Sequence, residues 1–494
     1  MLLSMSFAIT AMSVLANDSI LVHKTEYAMG RANYERSILA NPALTNLQSI
    51  PSLSEISITG MSEPAAMAKI PQLGTGGRFF KVNASSFQHL GKNNAVWGNA
   101  SYQSGRKYDV VWNETSDFLL IYPYAMADGR GGDLKYEEYK LNGGYSTRKG
   151  KFYYGAELGY RALSEYRDHD PRPNNTVADL QARIGFGYGV LKDYVLAVAA
   201  DAGKYKQTNE LAFYNELGAQ MEYHLTGIGN DFARFSGQSN NTFFKGYNFG
   251  TELNLANTNG TGWSASAGYM FTQKEKVLTD LNRLPLNKLK INQFKGSIGF
   301  NGFSYGIRLS GSYADRKGND NLFGDATGNI YPQIGTKEQY SGSVAEVKAD
   351  VFWTIKASPT LLFNIEPEFA YLSFTNRHHA SGNNFNSNDL QFKVHSSMTY
   401  RKGANMISAD IDVARRQNLS TEMNLYNSVN ESLTTTLQNI KSYFHDGETY
   451  FGMGAEYTRK VWDNKAITVG FLWQHTIYLG TSNNCYEAKL AFCL

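Results

Sequence analysis

The feature that most constrains this chain is a two-residue alternation of apolar and polar side chains, held for ten residues or more at a time. Between Asp133 and Asn209 it is plainest. Phe152, Tyr154, Ala156, Leu158 and Tyr160 interleave with Tyr153, Gly155, Glu157, Gly159 and Arg161. Leu180, Ala182, Ile184, Phe186, Tyr188 and Val190 do the same with Gln181, Arg183, Gly185, Gly187 and Gly189. Period-two alternation sends the two sets to opposite faces of a strand. Strands in soluble sandwiches run to about five or six residues, whereas crossing hydrocarbon takes roughly 9–11 tilted residues. The reading is all-β: a single transmembrane antiparallel β-barrel of the outer-membrane type, lipid outside and a polar lumen inside.

A soluble chain of 494 residues would be expected to split into two or more domains. Neither a linker nor a shift in composition divides this one, and a closed ring of hairpins accounts for its length better. The 46 Gly and 32 Tyr against 11 Pro suit a crowded lumen wall and a membrane–water boundary. Mean hydropathy is −0.39, as expected when every second residue is polar. After residue 16 the chain holds no apolar run of the about 18 residues that a helical span needs. A net charge of +3 argues against nucleic acid as a partner.

The alternation divides the chain into three parts. Residues 1–16 read as a secretory signal, an uncharged apolar stretch ending Val14-Leu15-Ala16 before Asn17-Asp18. Residues 17–49 form a polar N-terminal segment, periplasmic or plugging the lumen, and residues 50–494 form the barrel. About eighteen strands are expected, sixteen being the next count the pattern allows. Tight turns such as Gly91-Lys92-Asn93, Arg148-Lys149-Gly150 and Lys402-Gly403 alternate with polar loops near 109–133, 166–176, 207–241, 276–286, 316–338, 375–388 and 417–446. Short periplasmic turns and long outer loops have that rhythm. Trp97, Trp263, Trp353 and Trp462 lie near the short turns, where an interfacial girdle is expected. Cys485 and Cys493 share a face about 26 Å apart, too far for a disulfide.

Candidate site residues follow from the same register. Lys140, Arg161, Arg183 and Arg308 point into the lumen from the earlier strands. Glu346, Asp350, Glu366, Glu368, Asp410, Asp412 and Glu456 point in from the later ones. Opposed basic and acidic walls would set a transverse field across a pore; the other reading is that these charges pair and hold a plug. Residues 17–49 and the 207–241 loop are the available fillers. The densest polar cluster is Tyr166, Arg167, Asp168, His169, Asp170, Pro171, Arg172 and Pro173. Its Tyr166, Arg167, Asp168, Asp170 and Arg172 are candidates for ligand capture at an outer loop, or for a loop held rigid by Arg–Asp pairs. An Asp-x-Asp beside a His also has the chemistry of a cation ligand, as has the His378-His379 pair. His395 and Ser397 share a face as in barrel phospholipases, but this register points them inward. No catalytic residue, cofactor or metal is expected.

Tyr166-Arg167 followed by Asp170-Pro171-Arg172-Pro173 resembles a stretch of uncharacterised outer-membrane barrels of the Bacteroidota. The resemblance implies an outer-membrane location and, for some members, a place beside a TonB-dependent receptor. Asn41-Pro42-Ala43 resembles a triplet near the start of the long-chain fatty-acid channel family, which implies an N-terminal segment entering the barrel. Together these readings lead to an expected function: passage of a small solute across the outer membrane, with membrane lipid as the surrounding partner. The alternative is a non-conducting accessory or scaffold barrel for a TonB-dependent receptor or a secretion assembly.

Overall fold

The computed structural model describes residues 20–215, 221–237, 241–328, 330–462 and 464–494. The expected signal sequence, 1–16, lies outside them. Eighteen strands build the ring. They are β1 (Leu53–Pro64), β2 (Gly76–His89), β3 (Asn94–Val110), β4 (Gly132–Lys149), β5 (Phe152–Tyr166) and β6 (Arg172–Leu191). Next come β7 (Tyr194–Ala212), β8 (Thr242–Asn257), β9 (Gly262–Leu278), β10 (Leu284–Asn301), β11 (Tyr305–Phe323) and β12 (Gln333–Ser358). The last six are β13 (Leu361–His378), β14 (Asn384–Lys402), β15 (Asn405–Asn424), β16 (Glu448–Trp462), β17 (Lys465–Tyr478) and β18 (Thr481–Cys493). Each pairs antiparallel with its chain neighbours, and β1 pairs with β18 through Glu55 opposite Cys493, which closes the ring. Closure leaves no unpaired edge, the condition for a sheet to sit in hydrocarbon.

The alternation in the sequence becomes an inside and an outside. Leu158, Ile184, Phe249, Leu309 and Val469 are each more than half exposed on the outer wall. Glu157, Arg183 and Asp201 face in. A large apolar surface wrapped right round a ring is satisfied only by hydrocarbon. Trp263, Trp353 and Trp462 are exposed at 56%, 54% and 63% near the short turns, as a girdle requires. Trp97 is the exception. It lies on the inward face of β3, where its indole donates to Glu157 Oε2 at 3.2 Å and its ring packs near Ile50 and Phe87. Both cysteines face the lumen and are free.

The strands outrun their expected lengths at the long-loop end, β12 reaching 26 residues. There the outward residues turn from aromatic to Lys, Asn and Ser, so the ladder continues beyond the apolar band. The expected loops near 276–286, 316–338 and 375–388 thereby shrink largely to hairpin tips. The polar outward residues hid this, because apolar alternation fades where hydrocarbon stops although backbone pairing does not.

Candidate functional site

Two bodies of non-barrel structure occupy the ring, one at each end. At the short-turn end lie α1 (Ile20–Ala28), α2 (Gly30–Ile38) and a 3-10 turn, Pro42–Leu47. This segment visits strands all round the wall. In α1, Lys24 donates to Thr468 Oγ1 at 2.6 Å and lies 3.5 Å from Glu55 and 3.6 Å from Glu456, carboxylates that Lys489 holds at 3.0 and 3.4 Å. From α2, Tyr34 donates to the Ile307 carbonyl at 3.2 Å and Arg31 to the Gly260 carbonyl at 3.2 Å. Glu35, buried, is held by Arg31 at 2.9 Å and by the Ser49 amide at 2.7 Å. Asn41 caps the 3-10 turn, accepting from the Ala43 amide at 3.0 Å, and donates to Asn254 at 2.9 Å. The wall makes room for this turn with glycine. A Cβ on Gly155 would stand 2.1 Å from the Pro42 carbonyl, and one on Gly185 2.2 Å from Asn41 Oδ1. The Asn41-Pro42-Ala43 triplet thus sits inside the ring.

At the long-loop end the lumen is filled by residues 111–131, which include α3 (Phe118–Ile121), by 221–237, and by α4 (Glu431–Asp446). Their apolar faces make one core: Trp112, Phe118, Ile121, Ala125, Tyr223, Leu225 and Leu433 are buried together with Tyr136, Tyr205 and Phe244 of the wall. Met126–Ala127 pairs with Tyr223–Gly227 in a small sheet. Asn430 caps α4, and Arg416 donates to the Tyr443 and Phe444 carbonyls at its other end at 2.9 and 3.1 Å.

Under that core runs a buried charge network. Arg167 is wholly enclosed: it donates to Asp128 Oδ2 at 2.6 Å, Glu114 Oε1 at 3.2 Å and the Pro171 carbonyl at 2.7 Å. Asp117 receives Arg161 and the Tyr205 hydroxyl, each at 2.9 Å. Glu222 faces Glu114, and neither oxygen of Glu222 nor Oε2 of Glu114 meets a donor. Two buried acceptors in contact need a shared proton. Burial pushes the Glu222 carboxyl up to about 7, and it lifts Glu114 well above the usual range with Glu222 and Asp128 adding to the effect. His224, its two ring nitrogens without partners, is held neutral by burial and then by Lys276.

Between the two bodies the inward side chains are open. Lys140 and Lys295 are 54% and 53% exposed although they point into the ring. Asn142 and Gln181 are exposed there too. The charges predicted from the sequence all face this lumen, but they interlock. Arg183 sits between Asp201 and Glu252 at 3.3 and 3.1 Å, Lys140 reaches Glu138 at 2.6 Å, and Arg308 reaches Asp350 at 3.0 Å. Glu368 takes Lys348 at 3.2 Å, and Asp412 takes His395 at 3.1 Å and Lys393 at 3.7 Å. Glu456 belongs to the Lys24–Lys489 cluster, and Arg161 to the cap. Glu366 abuts the start of α2, where a Cβ on Gly30 would meet it at 2.8 Å. Among the described residues Glu346, Glu366 and Asp410 form no salt bridge. Of the two readings, opposed walls or paired charges, the contacts match a mosaic of local pairs, with the carboxylates drawn from the same strand (Glu138), a following strand (Asp201, Glu252, Asp350) or the cap (Asp117).

The outer-loop candidates divide between buried ties and exposed positions. Arg167 is buried and presents nothing to a solute, a correction to its expected availability. Asp170 accepts from the Tyr214 and Asn215 amides at 2.8 and 2.7 Å and from Arg172 at 2.8 Å, and Arg172 stacks on Tyr214. Asp168 pairs with Lys135 at 2.8 Å, and Tyr166 ends β5 on the outer wall. Among the described residues no group of three or more His, Cys, Asp or Glu is arranged to hold a metal. Sequence reasoning missed Glu114, Asp117, Asp128, Glu222 and His224. The available signal was the apolar Phe118-Leu119-Leu120-Ile121 inside a supposedly polar loop, and Leu433, Leu437, Ile440 and Phe444 at helical spacing inside another.

A family model described as "Family of unknown function (DUF6850)" matches residues 42–494. No curated protein matches the chain. Among solved structures, the ferric preacinetobactin receptor BauA of Acinetobacter baumannii is 9% identical over 90% of this chain and 80% of its own, with a TM-score of 0.47. The siderophore receptor PirA of Pseudomonas aeruginosa is 9% identical over 89% and 80%, at 0.36. The monoaromatic hydrocarbon channel CymD is 10% identical over 93% and 92%, at 0.32.

Proposed function

Since the chain belongs to the DUF6850 family, whose matched span holds the whole barrel, we propose a function for that barrel: an outer-membrane channel, closed at rest, that passes a small polar solute. One observation carries this reading. Inward-facing Lys140 and Lys295, each about half exposed, and exposed Asn142 and Gln181 leave the ring's middle accessible between two bodies that occupy its ends. A barrel of about eighteen strands is wide enough for an aqueous path once such fillers move. Paired charges of both signs favour a polar solute of low net charge, since either sign of ion meets a counter-charge already satisfied. The outward apolar ring, bounded by Trp263, Trp353 and Trp462, supports the membrane setting.

The test is planar-bilayer recording. The full chain should be silent or open rarely, and a chain lacking residues 20–50 should show unitary conductance. Silence from both proteins after verified insertion would overturn the channel and favour the second reading, a non-conducting accessory barrel. The specific observation behind that second reading is the wholly buried Arg167–Glu114–Asp128 cluster at the outer end.

A further inference from the structure

Four of the five adjacent strands β7 to β11 carry lysines on their outward faces just past the apolar band, β9 supplying Gln273 and Glu275 between them. Lys206 of β7 stands directly opposite Lys245 of β8, and Lys290 of β10 directly opposite Lys317 of β11. Lys204 lies two residues along from Lys206, and Lys288 two along from Lys290. The register runs Lys206, Lys245, Glu275, Lys288 in one row and Lys204, Tyr247, Gln273, Lys290, Lys317 in the next. At about 4.8 Å between strands and about 6.8 Å between rows, six ammonium groups share a patch roughly 19 Å wide.

Like charges opposite one another weaken an antiparallel pair, and this patch has two such pairs. Its acidic relief is partial. Glu275 meets Lys245 at 2.8 Å, Glu338 reaches Lys317 at 4.0 Å, and Asp315 lies one row below. Tyr247 stands within the second row, and Phe249, Phe294 and Tyr313 lie beneath it, these four exposed at 40%, 57%, 52% and 45%. Past the apolar band β12 to β15 carry Ser343, Thr375, Asn386, Asn388 and Ser420, with Ser343 bonded to Thr375 and Asn388 to Ser420, and Arg377 and Arg415 as their outward cations. A shorter outward cationic row, Arg78, Arg106 and Lys135, lies on β2 to β4, where Asp133 and Asp168 pair with Arg106 and Lys135, so the β7–β11 sector is the larger of two and the less relieved by carboxylates.

We infer that β7 to β11 form a docking surface for an anionic, phosphate-bearing lipid of the leaflet at the long-loop end. The patch is continuous with the face that meets hydrocarbon, so an occupant anchored by acyl chains on the aromatic band brings its headgroup level with the lysines. Phosphate oxygens suit ammonium groups as mobile point charges, and each Lys near a charged surface strengthens the attraction. The inference rests on the membrane reading above.

The experiment uses the full chain in phosphatidylcholine vesicles containing a trace of spin-labelled phosphatidylglycerol or spin-labelled phosphatidylcholine, and reads the motionally restricted fraction of each. The wild type should hold phosphatidylglycerol at least threefold more strongly than phosphatidylcholine, less so at high salt. Joint replacement Lys206→Gln, Lys245→Gln, Lys290→Gln and Lys317→Gln should at least halve that preference, while Arg377→Gln leaves it unchanged. Changing the same four lysines to Glu should lower it further. Equal restriction of both lipids by the wild type, or full retention of the preference by the fourfold variants, overturns the inference. Failure of the chain to enter vesicles at all would instead overturn the membrane reading.

Discussion

The two ends of this barrel are closed by different means. At the short-turn end a single continuous stretch, residues 20–50, is tethered to the ring at one end only among the described residues. It is held by scattered hydrogen bonds, by three small apolar clusters against the wall, by glycine gaps that admit it, and by the Lys24–Glu55–Glu456–Lys489 cluster. At the long-loop end three loops meet, each anchored by strands on both sides, over a shared apolar core and a charge network cut off from water. To withdraw the first body uncovers three small apolar clusters, around Leu21, Leu44 and Ile50, but leaves Glu55 and Glu456 paired with Lys489. To withdraw the second exposes the core of residues such as Trp112 and Leu225 and separates charges from their only partners. The comparison identifies the short-turn end as the closure able to move as a unit, and the outer cap as the fixed one.

The largest expected effect tests whether the cap depends on its buried cation. Arg167→Met removes the guanidinium bonded to Asp128 and Glu114, leaving buried carboxylates without their ion-pair partner. Losses of this kind cost about 3–5 kcal/mol. Hydrogen exchange in peptides from 111–131 and 221–237 should accelerate by more than a hundredfold, with peptides from 20–50 unaltered. Equal acceleration at both ends would erase the distinction between them.

That distinction was only half legible in the sequence. The ring itself was open to reading because each outward residue, from Leu158 to Val469, answers to hydrocarbon independently of its distant neighbours, so every strand carries its own signature. The turn lengths gave the up-and-down order. The cap is another matter. Arg167, Glu114 and Glu222 are brought together from three separate loops, and nothing local to any of them announces the others. Arg167 in its Tyr-Arg-Asp-His context looks like a solvent-facing ligand until Pro171 and Asp128 close over it. Lys140 and Glu366 were placed on the correct face by parity alone. Parity says where a side chain points but not what fills the space there, which is why a transverse field and mutual pairing were both open readings of the same residues.

A smaller effect, confined to the opposite end, comes from filling a gap in the wall. Gly185→Val would bring side-chain atoms against Asn41 and Ala43, where even a Cβ stands 2.2 Å from Asn41 Oδ1 and 3.1 Å from the Ala43 Cβ. Overpacking of this sort costs about 1–3 kcal/mol. The 3-10 turn should shift, exchange in peptides spanning 41–50 should quicken, and the cap peptides should remain as they were. Gly159→Val, on the open lumen wall with no contact closer than 3.9 Å, is the matched control and should leave exchange unchanged. Quickening in both variants would show that the wall, not the turn, had been disturbed.

The subtlest effect sharpens the comparison through pH, because buried titratable groups outside the strands are concentrated in the cap. His224 is kept neutral in the folded cap, below its ordinary 6.5, by burial and by Lys276. The unfolded loop takes up a proton below that pH and the folded one does not, so His224 loosens the cap as pH falls through 6.5. Glu222, raised to about 7 from an ordinary 4.5, and Glu114, raised with it, act in the opposite sense. Here the folded cap holds the protons, so stability is fullest below about 4.5 and is lost as pH rises toward about 7. Between those limits the two influences oppose, with Asp128, Arg167 and Lys276 as the charged neighbours. His224→Phe removes only the loosening, and since neither ring nitrogen has a partner the substitution should be near neutral at pH 8. On acidification from pH 6.5 to 5.5 the variant's cap should gain about 1 kcal/mol of exchange protection over the wild type. Glu222→Gln should reduce the acid-side tightening instead. A gain of the same size in peptides from 20–50 would mean that the two closures titrate together, and the view of them as independent bodies would fail.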